Sequence, residues 1–71
     1  MILQNGNDGK IYEYRDLEKP ETWVKGDIVV GNSGYEYRFE KISNGEVLVV
    51  DFLSLSEYLF NMSEIKQVKA Q

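Results

Sequence analysis

The chain has 71 residues, 8 Lys+Arg against 12 Asp+Glu, and neither histidine nor cysteine, for a net charge of −4. That length makes one domain, residues 1–71, near the lower limit at which a hydrophobic core holds a fold unaided. Without cysteine there is no disulfide and no thiolate nucleophile, and without histidine as well a structural zinc site is effectively excluded, so stability must come from packing.

The hydrophobic fraction of 42%, with one tryptophan, five tyrosines and three phenylalanines, is too apolar and aromatic for a disordered chain. The Met1-Ile-Leu start lacks the basic and long apolar regions of a signal peptide. The longest apolar run, Val47 to Val50, is too short to span a bilayer. The expected location is cytoplasmic, with no membrane partner.

In chain order, Met1 to Gln4 and Lys10 to Tyr14 read as a first hairpin around the turn cluster Asn5-Gly6-Asn7-Asp8-Gly9. Tyr12 and Tyr14 alternate with Glu13 and Arg15. The charged stretch Asp16 to Glu21, with the sole proline Pro20, reads as a loop before Trp23-Val24. Asp27 to Val30 is a short β-branched run, followed by the turn Gly31 to Gly34. Tyr35 to Glu40 alternates strictly, and Glu46 to Phe52 is a continuous apolar strand. Between them Asn44-Gly45 is the strongest hairpin signal, predicting a central hairpin of Gly34–Ile42 and Glu46–Phe52.

Leu53 to Met62 has two readings. Ser54-x-x-Glu57 is a capping-box pattern for a short helix. The preferred reading is a loop and then a short strand around Tyr58–Asn61. Ser63 to Lys69 alternates weakly, as a strand or a helical tail. Tyr-Glu-Tyr-Arg occurs twice, at Tyr12–Arg15 and Tyr35–Arg38, but the flanks differ, so two amphipathic strands explain it better than an internal repeat.

From Trp23 to Val68 the order of signals resembles a small SH3-like barrel. The carrying residues are Trp23-Val24-Lys25-Gly26-Asp27-Ile28-Val29-Val30, Tyr37 to Ile42, Gly45 to Phe52, Phe60 and Met62 to Ile65. The resemblance covers about two-thirds of the chain. It implies an all-β fold of five to six short antiparallel strands with an N-terminal hairpin, and a short helix or 3-10 turn within Leu53–Met62. The basic loops of nucleic-acid-binding barrels are missing, and such barrels host many functions.

The chemistry points away from catalysis. The proton carrier and thiolate that most mechanisms use at neutral pH are absent, and no serine has a histidine base. Neither a P-loop pattern nor EF-hand spacing occurs; oxygens at Asn5, Asn7 and Asp8 read as turn chemistry rather than a calcium site. The expectation is a non-enzyme with no cofactor and no metal. The eight basic residues are scattered and the balance is acidic, which disfavours nucleic acid.

The candidate partner-binding residues are aromatics beside an acidic loop: Tyr12, Tyr14 and Trp23 with Asp16, Glu18 and Glu21. Tyrosine and tryptophan combine large rigid area with a polar tip, and the acids would favour a basic protein partner. The competing reading puts these rings in the core; for Tyr37 and Phe39 the core is the favoured reading. In Glu46–Phe52, Val47 and Val49 face one side and Leu48, Val50 and Phe52 the other, so something must cover both faces: the first hairpin, Leu53–Met62, a second copy, or a partner.

These features favour a non-catalytic protein-binding module or small regulator of bacterial or phage type. The alternatives are an acidic phage-type inhibitor mimicking nucleic acid, a structural homo-oligomer such as a homodimer, and direct nucleic-acid binding.

Overall fold

The structure, a computed structural model, describes residues 2–5 and 11–70, with the backbone alone for 2–5, 11 and 12. The turn cluster from Gly6 to Gly9, including the weighed calcium loop, lies outside the described residues. The described residues are mainly antiparallel β-sheet. The strands are β1 (Ile2–Asn5), β2 (Ile11–Tyr14), β3 (Ile28–Gly31), β4 (Glu36–Ser43), β5 (Glu46–Asp51), β6 (Glu57–Phe60) and β7 (Ile65–Lys69). One-turn 3-10 helices occur at Pro20–Thr22 and Met62–Glu64. No helix among the described residues is long and apolar enough to cross a membrane.

The strands form one ladder in the order β1-β2-β7-β3-β4-β5-β6, which leaves β1 and β6 as its edges. The predicted Asn44-Gly45 hairpin forms: Ser43 pairs with Glu46, and φ is 51° at Asn44 and 80° at Gly45. Two positive φ angles define the type I′ turn, whose twist matches the flanking strands. The first hairpin pairs Ile2–Asn5 with Ile11–Tyr14.

Leu53–Met62 resolves as loop, strand and the start of a 3-10 turn. The capping box is not at Ser54. It lies one segment later, where the Asn61 side chain accepts from the third residue of the turn and Glu64 accepts from the Asn61 backbone. Ser63 to Lys69 yields the 3-10 turn and then β7.

Opposed residues on paired strands share a face, and the register sorts the apolar side chains accordingly. Val68, Val29 and Tyr37 form one row, Phe39, Val49 and Tyr58 a second, and Val47 and Phe60 a third. Val29, Val47, Val49 and Val68 are fully buried. They pack with Trp23, Phe39 and Ile65, flanked by Leu17, Tyr37, Phe60 and Met62. Burying one such valine stabilises by about 1.5–3 kcal/mol. On the opposite face Val50 is buried, Leu48 half-buried and Phe52 exposed. A break in register between Phe39 and Lys41 adds a residue to β4, a bulge that bends the strand.

The rows bring distant strands together. The Tyr37 ring on β4 lies 5.0 Å, centroid to centroid, from Phe60 on β6, with β5 between them in the ladder. Two strand spacings in a flat sheet separate backbones by about 9–10 Å. Tyr37 is opposite Asp51 and Phe60 opposite Val47, so the two are also offset by four positions along β5, and contact across both separations fits a sheet curled toward its apolar face.

Asp27 is the buried charge of the described residues, 2% exposed. Arg15 donates from Nε to Oδ2 at 2.9 Å and from Nη2 to Oδ1 at 3.4 Å, and the Val24 amide donates to Oδ2 at 2.9 Å. The Asp27 backbone accepts from Phe39 N–H at 2.8 Å and donates to Val24 C=O at 2.9 Å. The β2–β7 ladder is short, with one paired position, Tyr14 and Lys69, extended by Arg15 N–H to Val68 O and Ala70 N–H to Glu13 O, both 2.8 Å. The Arg15–Asp27 pair thus clamps the first hairpin to the rest of the sheet.

Asp27→Ala leaves the partly buried Arg15 guanidinium and the Val24 amide without their acceptor. The expected cost is about 3–5 kcal/mol, read from urea unfolding. Asp27→Asn keeps an acceptor for Val24 and should cost less. Equal losses in both variants would show that the charge carries the whole effect and that a neutral acceptor for Val24 adds nothing.

Candidate functional site

The structure describes the side chains of five of the six residues proposed from sequence, and they differ in exposure. Asp16, Glu18 and Glu21 are exposed. The loop is built locally: the Asp16 carboxylate accepts from the Glu18 amide at 2.9 Å, and Pro20 opens the 3-10 turn. Proline suits a first helical position because its φ is preset and no N–H is needed there. Tyr14 and Trp23 are buried, at 8% and 7% exposure. Trp23 meets Phe39 edge to face at 5.4 Å and its Nε1 donates to the Asp16 carbonyl at 3.0 Å. The indole thus anchors the acidic loop from beneath instead of standing beside it. The Tyr12 side chain lies outside the described residues.

A hollow of about 230 Å³ lies at this loop, lined by Tyr14, Arg15, Asp16, Lys19 and Thr22. Its charges are mixed, and Arg15 is already committed to Asp27.

The second hollow differs in chemistry. It holds about 250 Å³ and is lined by Gly31, Asn32, Ser33, Tyr37, Phe60 and Glu64. The β3–β4 turn forms one wall and the 3-10 turn the other. They are tied by Asn32 N–H to Glu64 O at 3.1 Å and by Asn32 Nδ2 to Ser63 O at 3.0 Å. The floor is aromatic: Tyr37 meets Phe60 edge to face, and Tyr58 at 5.8 Å. Such pairs add about 0.5–1.5 kcal/mol beyond the area they bury and hold each ring in one orientation.

One carboxylate belongs to the lining of this cleft and a second stands nearby. Glu64 lines it, and Asp51 is opposite Tyr37 in the β4–β5 register. Neither carboxylate forms a salt bridge among the described residues. The cations that do are Arg15, Lys25, Arg38 and Lys69, paired with Asp27, Glu40, Glu40 and Glu36. Partial burial pushes the Tyr37 phenol above its usual pKa, with the negative charge of Asp51 adding to it. The Asp51 carboxyl is held below its usual range by the backbone N–H groups of Ser54 and Leu53. At Glu40 burial pushes the carboxyl up, but hydrogen bonds from Lys25 and Arg38 outweigh it and the net shift is downward.

Sequence reasoning missed this cleft because its walls come from segments about thirty residues apart. Two signals were present, the Gly31-x-x-Gly34 turn and the Asn61-x-x-Glu64 capping pattern. The repeated Tyr-Glu-Tyr-Arg string also diverges in context: Tyr14 is buried in the first copy, and Tyr35 is 70% exposed in the second. No group of three or more acidic side chains among the described residues is arranged to hold a metal ion.

Compared with known family models, curated proteins and solved structures, the chain gives no match.

Two measurements check these placements. Trp23→Ala should cost about 3–5 kcal/mol, while Glu18→Ala and Glu21→Ala stay within about 0.5 kcal/mol. In a spectrophotometric titration Tyr37, identified by its loss in Tyr37→Phe, should ionise above the usual tyrosine value, and its pKa should fall in Asp51→Asn. A folded-state pKa above the unfolded value means stability is intact below about pH 10 and declines as pH rises through the folded value.

Proposed function

We propose that the chain is a non-catalytic protein-binding module that takes a basic, extended segment of a partner protein in the cleft over Tyr37 and Phe60. The observation that carries this reading is an aromatic floor with Glu64 on the cleft wall and Asp51 opposite Tyr37 on β5, neither of them in a salt bridge among the described residues. Aromatic faces attract cations by about 0.5–2 kcal/mol, more as water is excluded. A flanking carboxylate adds charge-assisted hydrogen bonds to an arginine or lysine side chain. With a net charge of −4 and exposed acids at Asp16, Glu18 and Glu21, the surface as a whole would speed encounter with a basic partner.

The fold reading accompanies it. The order β7-β3-β4-β5-β6, with a 3-10 turn joining β6 to β7, and the curl that sets Phe60 on Tyr37 support an SH3-like barrel carrying the extra β1–β2 hairpin. This fold supplies the scaffold and does not by itself name the ligand.

The test is a ¹⁵N NMR titration with two synthetic peptides of equal length, one alternating valine with arginine and one alternating valine with glutamate. The arginine peptide should shift amides of Asn32, Tyr37, Phe60 and Glu64. Binding should weaken with salt, and should fall about tenfold in Glu64→Gln, the loss of about one charge-assisted contact. Equal binding of both peptides, or shifts confined to the Tyr14–Thr22 hollow, would contradict the assignment.

A further inference from the structure

The β5–β6 connection and the β6 edge leave a run of apolar surface exposed. Phe52 is 49% exposed, Leu53 95%, Leu55 65% and Leu59 52%. The loop is nonetheless built with care. Asp51 Oδ1 accepts from Leu53 N–H at 2.7 Å and Ser54 N–H at 3.0 Å, and Leu55 N–H donates to the Asp51 carbonyl at 3.0 Å. Leu55 is held at φ 61°, a left-handed conformation that disfavours branched side chains such as leucine. A hydrogen-bonded loop that holds a leucine in this conformation and points it at water is organised for a contact.

The same surface runs on into β6, an edge of the ladder. An unpaired strand edge is a template for another strand, and proteins that remain monomeric blunt it with lysine, proline or a bulge. Glu57-Tyr58-Leu59-Phe60 carries no lysine or proline, and its pairing with β5 is regular over all four residues.

We infer that β6 pairs antiparallel with β6 of a second copy, about a two-fold axis through Leu59. The register is self-complementary. Leu59 opposes Leu59 of the second copy, Tyr58 opposes Phe60, and Glu57 opposes the amide of Asn61, so no like charges face each other directly. Opposed residues stay on the same face, so the apolar faces of the two sheets are continuous. Running antiparallel, the pair sets the Phe52–Leu55 loop of each copy beside the Asn61–Glu64 turn of the other, where Met62 is half-buried. Isologous contact of this kind closes at two copies. With −4 on each chain, the pair should tighten as salt rises, whereas binding of a basic peptide weakens.

Sedimentation equilibrium of the full chain across a concentration series, at low and high salt, tests this directly. The expected result is a monomer–dimer equilibrium that shifts toward dimer with salt. Leu59→Lys, which opposes two lysines at the axis on a half-exposed position, should sediment as a folded monomer with an unchanged circular dichroism spectrum. Hydrogen exchange on the unaltered chain provides a second readout: protection of amides in Glu57–Phe60 should rise with protein concentration. A wild-type monomer up to about 1 mM, the weak end of specific affinity, would overturn the proposal and leave the edge to a strand of another protein. So would assembly beyond two copies, a dimer that persists in folded Leu59→Lys, or exchange at β6 that is independent of concentration.

Discussion

The fold depends on a carboxylate that has been taken out of water. Moving an isolated charge into a protein interior costs several kcal/mol, and Asp27 is 2% exposed. The cost is met by geometry: two contacts from Arg15, one from the Val24 amide, and backbone bonds that tie the same residue to Phe39. Each element Asp27 touches belongs to a different part of the chain. Arg15 follows the first hairpin, Val24 leads from the acidic loop, and Phe39 lies in the central hairpin and packs on Trp23. In a chain without disulfides, this side chain is the buried cross-link among the described residues. It also sets the position of Trp23, and through Trp23 the course of the loop from Asp16 to Glu21.

From that anchor the sheet curls. Fully buried valines on β3, β5 and β7 occupy its inner face, and the bulge in β4 bends the central hairpin. Curling draws β6 over β4 until Phe60 meets Tyr37. The cleft lies over that contact, walled by the β3–β4 turn and the Met62–Glu64 turn. Curvature thus turns two alternating strands into an aromatic floor. The strand that completes the floor, β6, is also one whose outer edge has no partner strand among the described residues.

Much of the fold was legible in the sequence, because local rules govern it. Asn44-Gly45 demands two positive φ angles, and the type I′ hairpin follows from that. Strict alternation over Tyr35–Glu40 and the valines of Glu46–Phe52 fix which side chains turn inward. Even β6 was read as a short strand after a loop, although Ser54-x-x-Glu57 offers helix-capping chemistry; Asp51, not Ser54, captures the free amides there. The burial of Trp23 was less legible, since it depends on Phe39 sixteen positions away and on a carbonyl at Asp16. Composition identified Trp23 as an aromatic next to acids and could not say which side of the loop it would occupy. The Arg15–Asp27 pair and the cleft walls likewise arise from register between strands distant in sequence, which no local pattern encodes.

The central claim is that the sheet curls far enough to set Tyr37 against Phe60 and so build the cleft. Nuclear Overhauser contacts between ring protons, measured on the chain in solution, test it most directly. The account predicts strong contacts between the rings of Tyr37 and Phe60 and between those of Tyr37 and Tyr58, together with cross-strand contacts between β3 and β7. Contacts limited to neighbouring strands, with Tyr37 and Phe60 silent toward each other, would mean a flatter sheet with no cleft and would contradict it.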